Sequence, residues 1–495
     1  MDTTAIPHPP RRLPVLGDVL GMNPRTPVQS VLGQVRDLGP ISVRKVFASE
    51  IVTVGGADLA AELSDDTRFA KYVGFHLPPL RRIVGDALFT AETDEPNWQL
   101  AHDILTPAFT REAMLGYHTI MLEVARDLLT RWDTAAERGQ RVDVATDMTR
   151  LTLETIGRTG FGYRFASFDR DRPHPFVTAM TRTLRYANLS LLPPWVPLRR
   201  VLVGSARQNR ADVALMEHIV DEVVQARRAG AAPATLDLLG QMLATAHPDT
   251  GDRLDAINIR RQVITFIIAG HETTSGALSF ALYYLTSDPH ALARARAEVD
   301  ALWGDGEDPE PTFSDISKLR YVRAVLDEAL RLWPTAPGYV RAARTDTMLG
   351  GRYAMNQGDW ALVLLPLLHR DPLVWSDPDR FDPGRFAPGQ AKTRPPHAYK
   401  PFGTGQRACI GRQFALHEAV LALGLVLNRY DLIPDDDYRL QIAESLTLKP
   451  RGFRLLPRRR NGLSRRGRVI ERGEAGGVEE PAKAAAVTVF GDEPA

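Results

Sequence analysis

A chain of 495 residues that holds one cysteine, Cys409, can form no intrachain disulfide. A reducing, cytoplasmic setting fits that count. Charge of one sign is also missing: 61 Lys and Arg face 60 Asp and Glu. A nucleic-acid binder would carry a basic excess, so no nucleic acid is expected as partner. No run approaches the roughly 18 consecutive apolar residues of a membrane span. The first dozen residues are polar and proline-rich and lack the apolar core of a signal peptide. Internal repeats are absent. These absences predict a soluble, monomeric, cytoplasmic protein without an integral membrane segment.

What is present is an ordinary globular composition, 44% hydrophobic and 24% charged. Apolar residues recur at three- and four-residue spacing over Met121 to Trp132 and Val213 to Ala226, which predicts helices. Short β-branched runs between Ile41 and Val54 predict strands. Asp371 to Pro396 reads as a long irregular segment, and Asp305 to Pro311 as an acidic loop. The expected architecture is mainly α, one large domain over 1–456. The tail, 457–495, is Arg-rich and then Gly-, Ala- and Glu-rich, and is expected to be disordered.

The cysteine has informative neighbours. Pro401-Phe-Gly-Thr-Gly-Gln-Arg-Ala-Cys-Ile-Gly411 precedes a helix pattern carried by Leu416, Val420, Leu423 and Leu427. Alone, a cysteine in such a corner is a small buried hydrophobe. Three glycines instead suggest close backbone approach to something flat. A helix N-terminus favours thiolate, the form that binds iron. The spacing of Phe402, Gly405, Arg407, Cys409 and Gly411 resembles the haem-binding loop of the cytochrome P450 superfamily. The resemblance implies the fold of that family, a large helical lobe and a smaller β-rich lobe with haem b between them. It makes Cys409 the iron ligand, Arg407 a partner of a haem propionate, and Phe402 a neighbour that tunes the sulfur.

Val263 to Ser275 is apolar in its first half, then reads Gly270-His-Glu-Thr-Thr. Alone this is a capped or bent helix, because Gly weakens helices and Thr can bond back to a carbonyl a turn earlier. It predicts a local distortion. Reducing dioxygen at a dry site needs protons, and a hydroxyl beside an acid can relay them. The segment resembles the family's oxygen-side element. That makes Thr273 the catalytic hydroxyl, Glu272 the relay acid and Thr274 structural. His271 is expected to be a packed or solvated histidine.

Glu328 and Arg331, at i and i+3, alone read as a surface salt bridge. They resemble the family's Glu-x-x-Arg pair, with Arg385 as third, structural member. Trp98 and His102 share a helix face. The resemblance sets them at a propionate, with Lys71 a further candidate of this kind.

From about Gly39 to Leu456 the chain is similar to the haem domain of bacterial self-sufficient fatty-acid hydroxylases. The shared runs include Met148-Thr-Arg-Leu-Thr-Leu and Glu328-Ala-Leu-Arg-Leu-Trp-Pro. That implies a pocket lined by Leu77, Leu80, Ala87, Leu88, Phe89, Ala269, Ala336 and Leu446, with Phe89 over the iron. Two departures bear on function. Ser49 and Thr53 stand where those hydroxylases hold the fatty-acid carboxylate with Arg and Tyr. The segment 189–198 is apolar and proline-rich, as a packed connector, a lid over a bulky substrate or a membrane-touching patch would be. The tail is too short for a flavin domain, so a separate ferredoxin or flavodoxin with its reductase is expected. Lys400 and Arg412 flank the cysteine loop on the face such a partner would meet.

The expected activity is a haem-dependent monooxygenase using O2 and electrons ultimately from NAD(P)H. It would hydroxylate or epoxidise an apolar small molecule, a terpenoid or polyketide before a free fatty acid. The alternatives are a fatty-acid hydroxylase and a haem-binding sensor or carrier. A peroxygenase or isomerase is a third, which usually lacks the threonine–acid pair.

Overall fold

The computed structural model describes residues 1–460 other than 24, 76, 171, 191–199, 231–236 and 305–307, and gives the backbone alone at 188–190, 200–204 and 391. The tail from 461, nearly all of the apolar segment 189–198 and the first residues of the acidic loop lie outside the described residues.

Helices dominate, as the periodicity predicted. Arg111–Glu137 spans Met121 to Trp132, and Arg200–Arg228 spans Val213 to Ala226. Five helices position the site: Pro78–Val84 (α1), Pro96–Leu105 (α2), Ala256–Ser287 (α3), Arg320–Leu332 (α4) and Arg412–Arg429 (α5). The longest, α3, starts where Asp255 caps it by accepting from Asn258 N–H at 2.7 Å. It is buried along most of its length, from Ile259 to Leu285.

The smaller lobe is a five-stranded sheet. Its strands are Ile41–Val46 (β1), Ser49–Val54 (β2), Phe69–Lys71 (β3), Gly338–Ala343 (β4) and Trp360–Leu364 (β5). The order is β1-β2-β5-β4-β3. The β1–β2 hairpin is antiparallel, β2 runs parallel to β5, and the remaining pairs are antiparallel. Register sets Lys71 directly opposite Arg341. Like charges facing across a ladder repel unless an anion lies between or beside them. A separate hairpin, Ile442–Glu444 (β6) with Leu448–Pro450 (β7), reaches α3.

Three sequence readings need correction. The oxygen-side helix is not distorted: α3 stays α-helical through Gly270, Thr273 and Thr274. Gly270 serves close packing instead, because a Cβ there would sit 3.1 Å from Ile156 on the helix Val144–Phe161. Thr273 Oγ1 donates to Ala269 O at 2.8 Å beside the regular ladder. Second, Glu328 and Arg331 are not on the surface; both side chains are 0% exposed. The amphipathic pattern of α4 misled because its polar face is covered by the irregular segment after His369. Third, the last strand, Arg454–Arg459, runs past Leu456 and pairs with Tyr430–Pro434. Its arginines meet acids of the helical lobe, Arg459 with Asp133 at 3.2 Å.

Candidate active site

The cysteine loop is built by two left-handed glycines, Gly403 (φ 73) and Gly405 (φ 63). A side chain at Gly405 would strike Asp66. The loop closes where Cys409 N–H donates to Phe402 O at 2.8 Å. Gly411 is the N-cap of α5, so the cysteine stands just ahead of the helix. Its side chain opens onto a cavity. Burial pushes the thiol up; a backbone N–H of Gly411 and the charge of Arg412 pull the other way and lose. The helix end therefore does not make a thiolate by itself. A bound metal would, since a coordinating thiol loses its proton outright.

The cavity has a volume of about 310 Å³. Cys409, Phe402, Arg407, Trp98, His102 and Lys71 all line it. So do Thr273, Ala269, Ala336, Leu77, Leu88 and Phe89. The structure thus brings together residues that lie more than 300 positions apart in the chain. Leu80 and Ala87 are core side chains that do not reach the wall, and Leu446 packs against the core from the hairpin turn.

One side of this apolar cavity is crowded with cations. Arg407 donates to three carbonyls, Leu88 O at 2.9 Å, Ala91 O at 2.7 Å and Glu92 O at 3.4 Å. Its guanidinium lies 4.5 Å from the Trp98 ring centroid, and Trp98 stacks on His102 at 5.1 Å. Burial pulls Arg407 down to about 10. Lys71 Nζ bonds Phe89 O and lies 4.9 Å from that ring. Burial, then the charge of Arg407, hold it well below the usual lysine range. Arg341 is paired with Asp66 at 2.6 Å. Cations held at this cost at the edge of an apolar cavity fit an anionic ligand. Haem matches the donor set: an apolar plane for the walls, an iron for the thiol and two propionates for the cations.

Sequence reasoning missed Arg341. The signal was there, a charged residue between Val340 and Ala342 in the strand β4. It also missed Thr265, whose hydroxyl, on the cavity wall, has no hydrogen-bond partner among the described residues.

The threonine and the acid of α3 part company. Thr273 faces the cavity. Glu272 does not line it: its carboxylate lies 3.0 Å from Lys449 Nζ, accepts from Thr447 Oγ1 at 3.1 Å and lies 3.2 Å from His271 Nε2. Burial alone would push Glu272 up, but Lys449 and His271 outweigh it and hold the carboxyl far below the usual range. His271 is packed, 0% exposed, with Nδ1 at 2.5 Å from Ile267 O.

The structural triad closes. Glu328 takes Arg331 through both oxygens, at 2.7 and 2.8 Å, and Arg385 Nε lies 3.5 Å away. Arg331 spends its other donors on the carbonyls of His369, Pro378 and Arg380. This clamps the irregular segment that leads to the cysteine loop. Ser49 is exposed in the β1–β2 hairpin, Thr53 is 1% exposed, and neither lines the cavity. Lys400 is half-buried; Arg412 is exposed, 5.8 Å from the Phe402 ring.

A family model described as Cytochrome P450 matches residues 7–457. A bifunctional cytochrome P450/NADPH–P450 reductase of Bacillus cereus is 45% identical over 460 residues, 92% of this chain and 42% of the relative. A second protein of that name from Bacillus subtilis is 46% identical over 433 residues, 86% of this chain and 40% of the relative. A self-sufficient cytochrome P450 monooxygenase of Phanerodontia chrysosporium is 39% identical over 454 residues, 91% of this chain and 42% of the relative. The chain spans about two-fifths of the length of these relatives.

Proposed function

The chain belongs to the cytochrome P450 family, a haem-containing monooxygenase taking O2 and NAD(P)H-derived electrons, and on that premise we propose that it hydroxylates long apolar chains of the fatty-acid type. The observation that carries this is the apolar cavity onto which Cys409 and Thr273 both open. The resemblance to bacterial self-sufficient fatty-acid hydroxylases supports it over the terpenoid or polyketide reading, and the likeness to bifunctional P450–reductases over nearly the whole chain agrees with that resemblance.

Bound haem supplies oxygen activation at an iron made electron-rich by thiolate. The chain's own residues do the rest. Cys409 ligates. Arg407, Lys71 and, once protonated, His102 would hold the propionates, and Trp98 stacks between the arginine and the histidine. Phe402 is tied to the cysteine by the loop hydrogen bond, from Cys409 N–H to Phe402 O. Leu77, Leu88, Phe89, Ala269 and Ala336 exclude water and orient the hydrocarbon. Thr273 holds a proton at Oγ1 on the cavity wall. Glu272, once released from Lys449, would take a proton from solvent and pass it to Thr273. Electrons arrive from a flavin or iron–sulfur carrier docked over Lys400 and Arg412.

At Ser49 and Thr53, where the resemblance sets the carboxylate grip, the β1–β2 hairpin offers no cation; its Arg44 and Lys45 stand on β1. An exposed ion pair is worth only about 0–1 kcal/mol. A long-chain acid and the alcohol of equal length should therefore bind within about fivefold of each other in a Soret titration. Product mass spectrometry should then show hydroxylated chains. A bulkier reading is favoured by the same two residues: if neutral polycyclic ligands bind and turn over while both linear ligands fail, the chain-hydroxylase reading is wrong.

A further inference from the structure

The imidazole on the cavity wall is one end of a chain of side chains. His102 Nδ1 lies 3.1 Å from Asp103 Oδ1. Asp103 Oδ2 accepts from Gln99 Nε2 at 2.7 Å and lies 3.1 Å from His247 Nε2. His247, 11% exposed, belongs to the segment between the helix Leu238–Ala244 and α3. Its Nδ1 accepts the backbone N–H of Asp249 at 3.2 Å and of Thr250 at 3.3 Å. That fixes the tautomer. A nitrogen that accepts carries no proton, so the His247 proton sits on Nε2 and is donated to Asp103.

Asp103 can only accept while ionised, so His102 Nδ1 must also carry its proton. Burial pushes Asp103 up, but Gln99 and the two imidazoles pull it below the usual carboxylate range. The nitrogen left for the cavity is His102 Nε2. In a neutral ring it holds a lone pair and repels an anion. It becomes a donor only by taking a second proton.

We infer that His102 takes up a proton from solvent as a haem propionate binds, with Asp103 as its counter-charge and His247 as the positioning residue that holds Asp103. This rests on the reading that His102 meets a propionate. The other charges around His102 are accounted for. Arg407 from the cysteine loop, Lys71 from β3 and Arg341 from β4 line the same cavity and oppose a further positive charge. At the start of α2, Glu95 is taken by Arg81, and Asp86 by Asn97 and Arg261. Asp249 and Asp252 are exposed on the His247 segment. Asp103 is the carboxylate in hydrogen-bond reach of the ring.

Haem reduction adds negative charge beside His102 and so favours its protonated form. The reduction potential should therefore depend on pH and fall as pH rises. The test measures that potential against pH, together with the rate of haem loss to an apoglobin acceptor, in the full chain. Asp103→Asn removes the counter-charge without changing shape, and should move the pH-dependent segment down by one unit or more. His247→Gln should move it in the same direction by less. His102→Ala should abolish the segment and speed haem loss. If His102→Ala matches wild type in both measurements, the propionate reading of His102 fails. If it changes both while Asp103→Asn and His247→Gln superimpose on wild type, the propionate reading stands and the inference is overturned.

Discussion

Glu328 and Glu272 are two helical acids, each paired with a cation, and they differ in what surrounds the pair. Glu328 and Arg331 are 0% exposed, and the arginine is further pinned by three carbonyls of a distant segment. Glu272 and Lys449 are each 15% exposed, and the lysine comes from a short two-stranded hairpin. The first pair cannot open without unpacking the clamp on the cysteine loop. The second sits one residue from a threonine on the cavity wall, and its further partners are side chains, Thr447, His271 and Thr149, not the backbone of a distant segment. Burial and pairing alone do not tell a fixed ion pair from a working one. What the further partners belong to does: backbone of a distant segment in the first pair, nearby side chains in the second.

That contrast can be broken most forcefully at Arg331. Arg331→Ala leaves Glu328 buried without its cation and should cost about 3–5 kcal/mol in denaturant unfolding. A cost below about 1 kcal/mol would mean that the clamp is ornamental.

A third acid sharpens the comparison by lacking a cation. Glu418 on α5 is 2% exposed, its polar neighbour is the Thr155 hydroxyl, and burial pushes it up to about 8. Its folded value exceeds its unfolded value of 4.5. The folded state then binds the extra proton, so stability is intact below about 4.5 and declines as pH rises towards 8. Between pH 5 and 8 wild type should lose on the order of 2–4 kcal/mol relative to Glu418→Gln. Parallel pH profiles for the two proteins would refute the neutral acid.

On the working side, Thr273→Ala should lower product formation about 100-fold, the usual weight of a positioned proton donor. Substrate affinity by Soret titration should hardly change. An unaltered rate would remove Thr273 from the proton path.

The smallest effect belongs to Lys449→Met. It deletes the charge that outweighs burial at Glu272, so the carboxyl should rise. Turnover of wild type should be flat between pH 5 and 7 as far as Glu272 is concerned, and the variant should acquire a new titration there. If no new titration appears, the Lys449 pair does not control the acid.

The sequence revealed local chemistry better than spatial cover. The cysteine loop, the Thr273 helix and the Trp98–His102 face were legible because each is written within a dozen residues. The burial of Glu328 was not, since its roof arrives from residues 369–385, some fifty positions downstream. Lys449 escaped for the same reason: a lysine in a short hairpin carries no pattern that points to Glu272. Arg341 was hidden by the sheet, because cross-strand neighbours such as Lys71 are set by register, which no run of residues spells out. Leu80 and Ala87 show the converse limit. Leu80 belongs to α1 and Ala87 to the bend after it; both are apolar, and only the fold decides which apolar residues reach a cavity.

The account stands on Cys409 as iron ligand, and one spectrum addresses that directly. The reduced, haem-loaded protein under carbon monoxide should show the red-shifted Soret band of a thiolate complex, and Cys409→Ser should lose it. A wild-type band at the position of an imidazole or neutral-thiol complex would contradict the assignment.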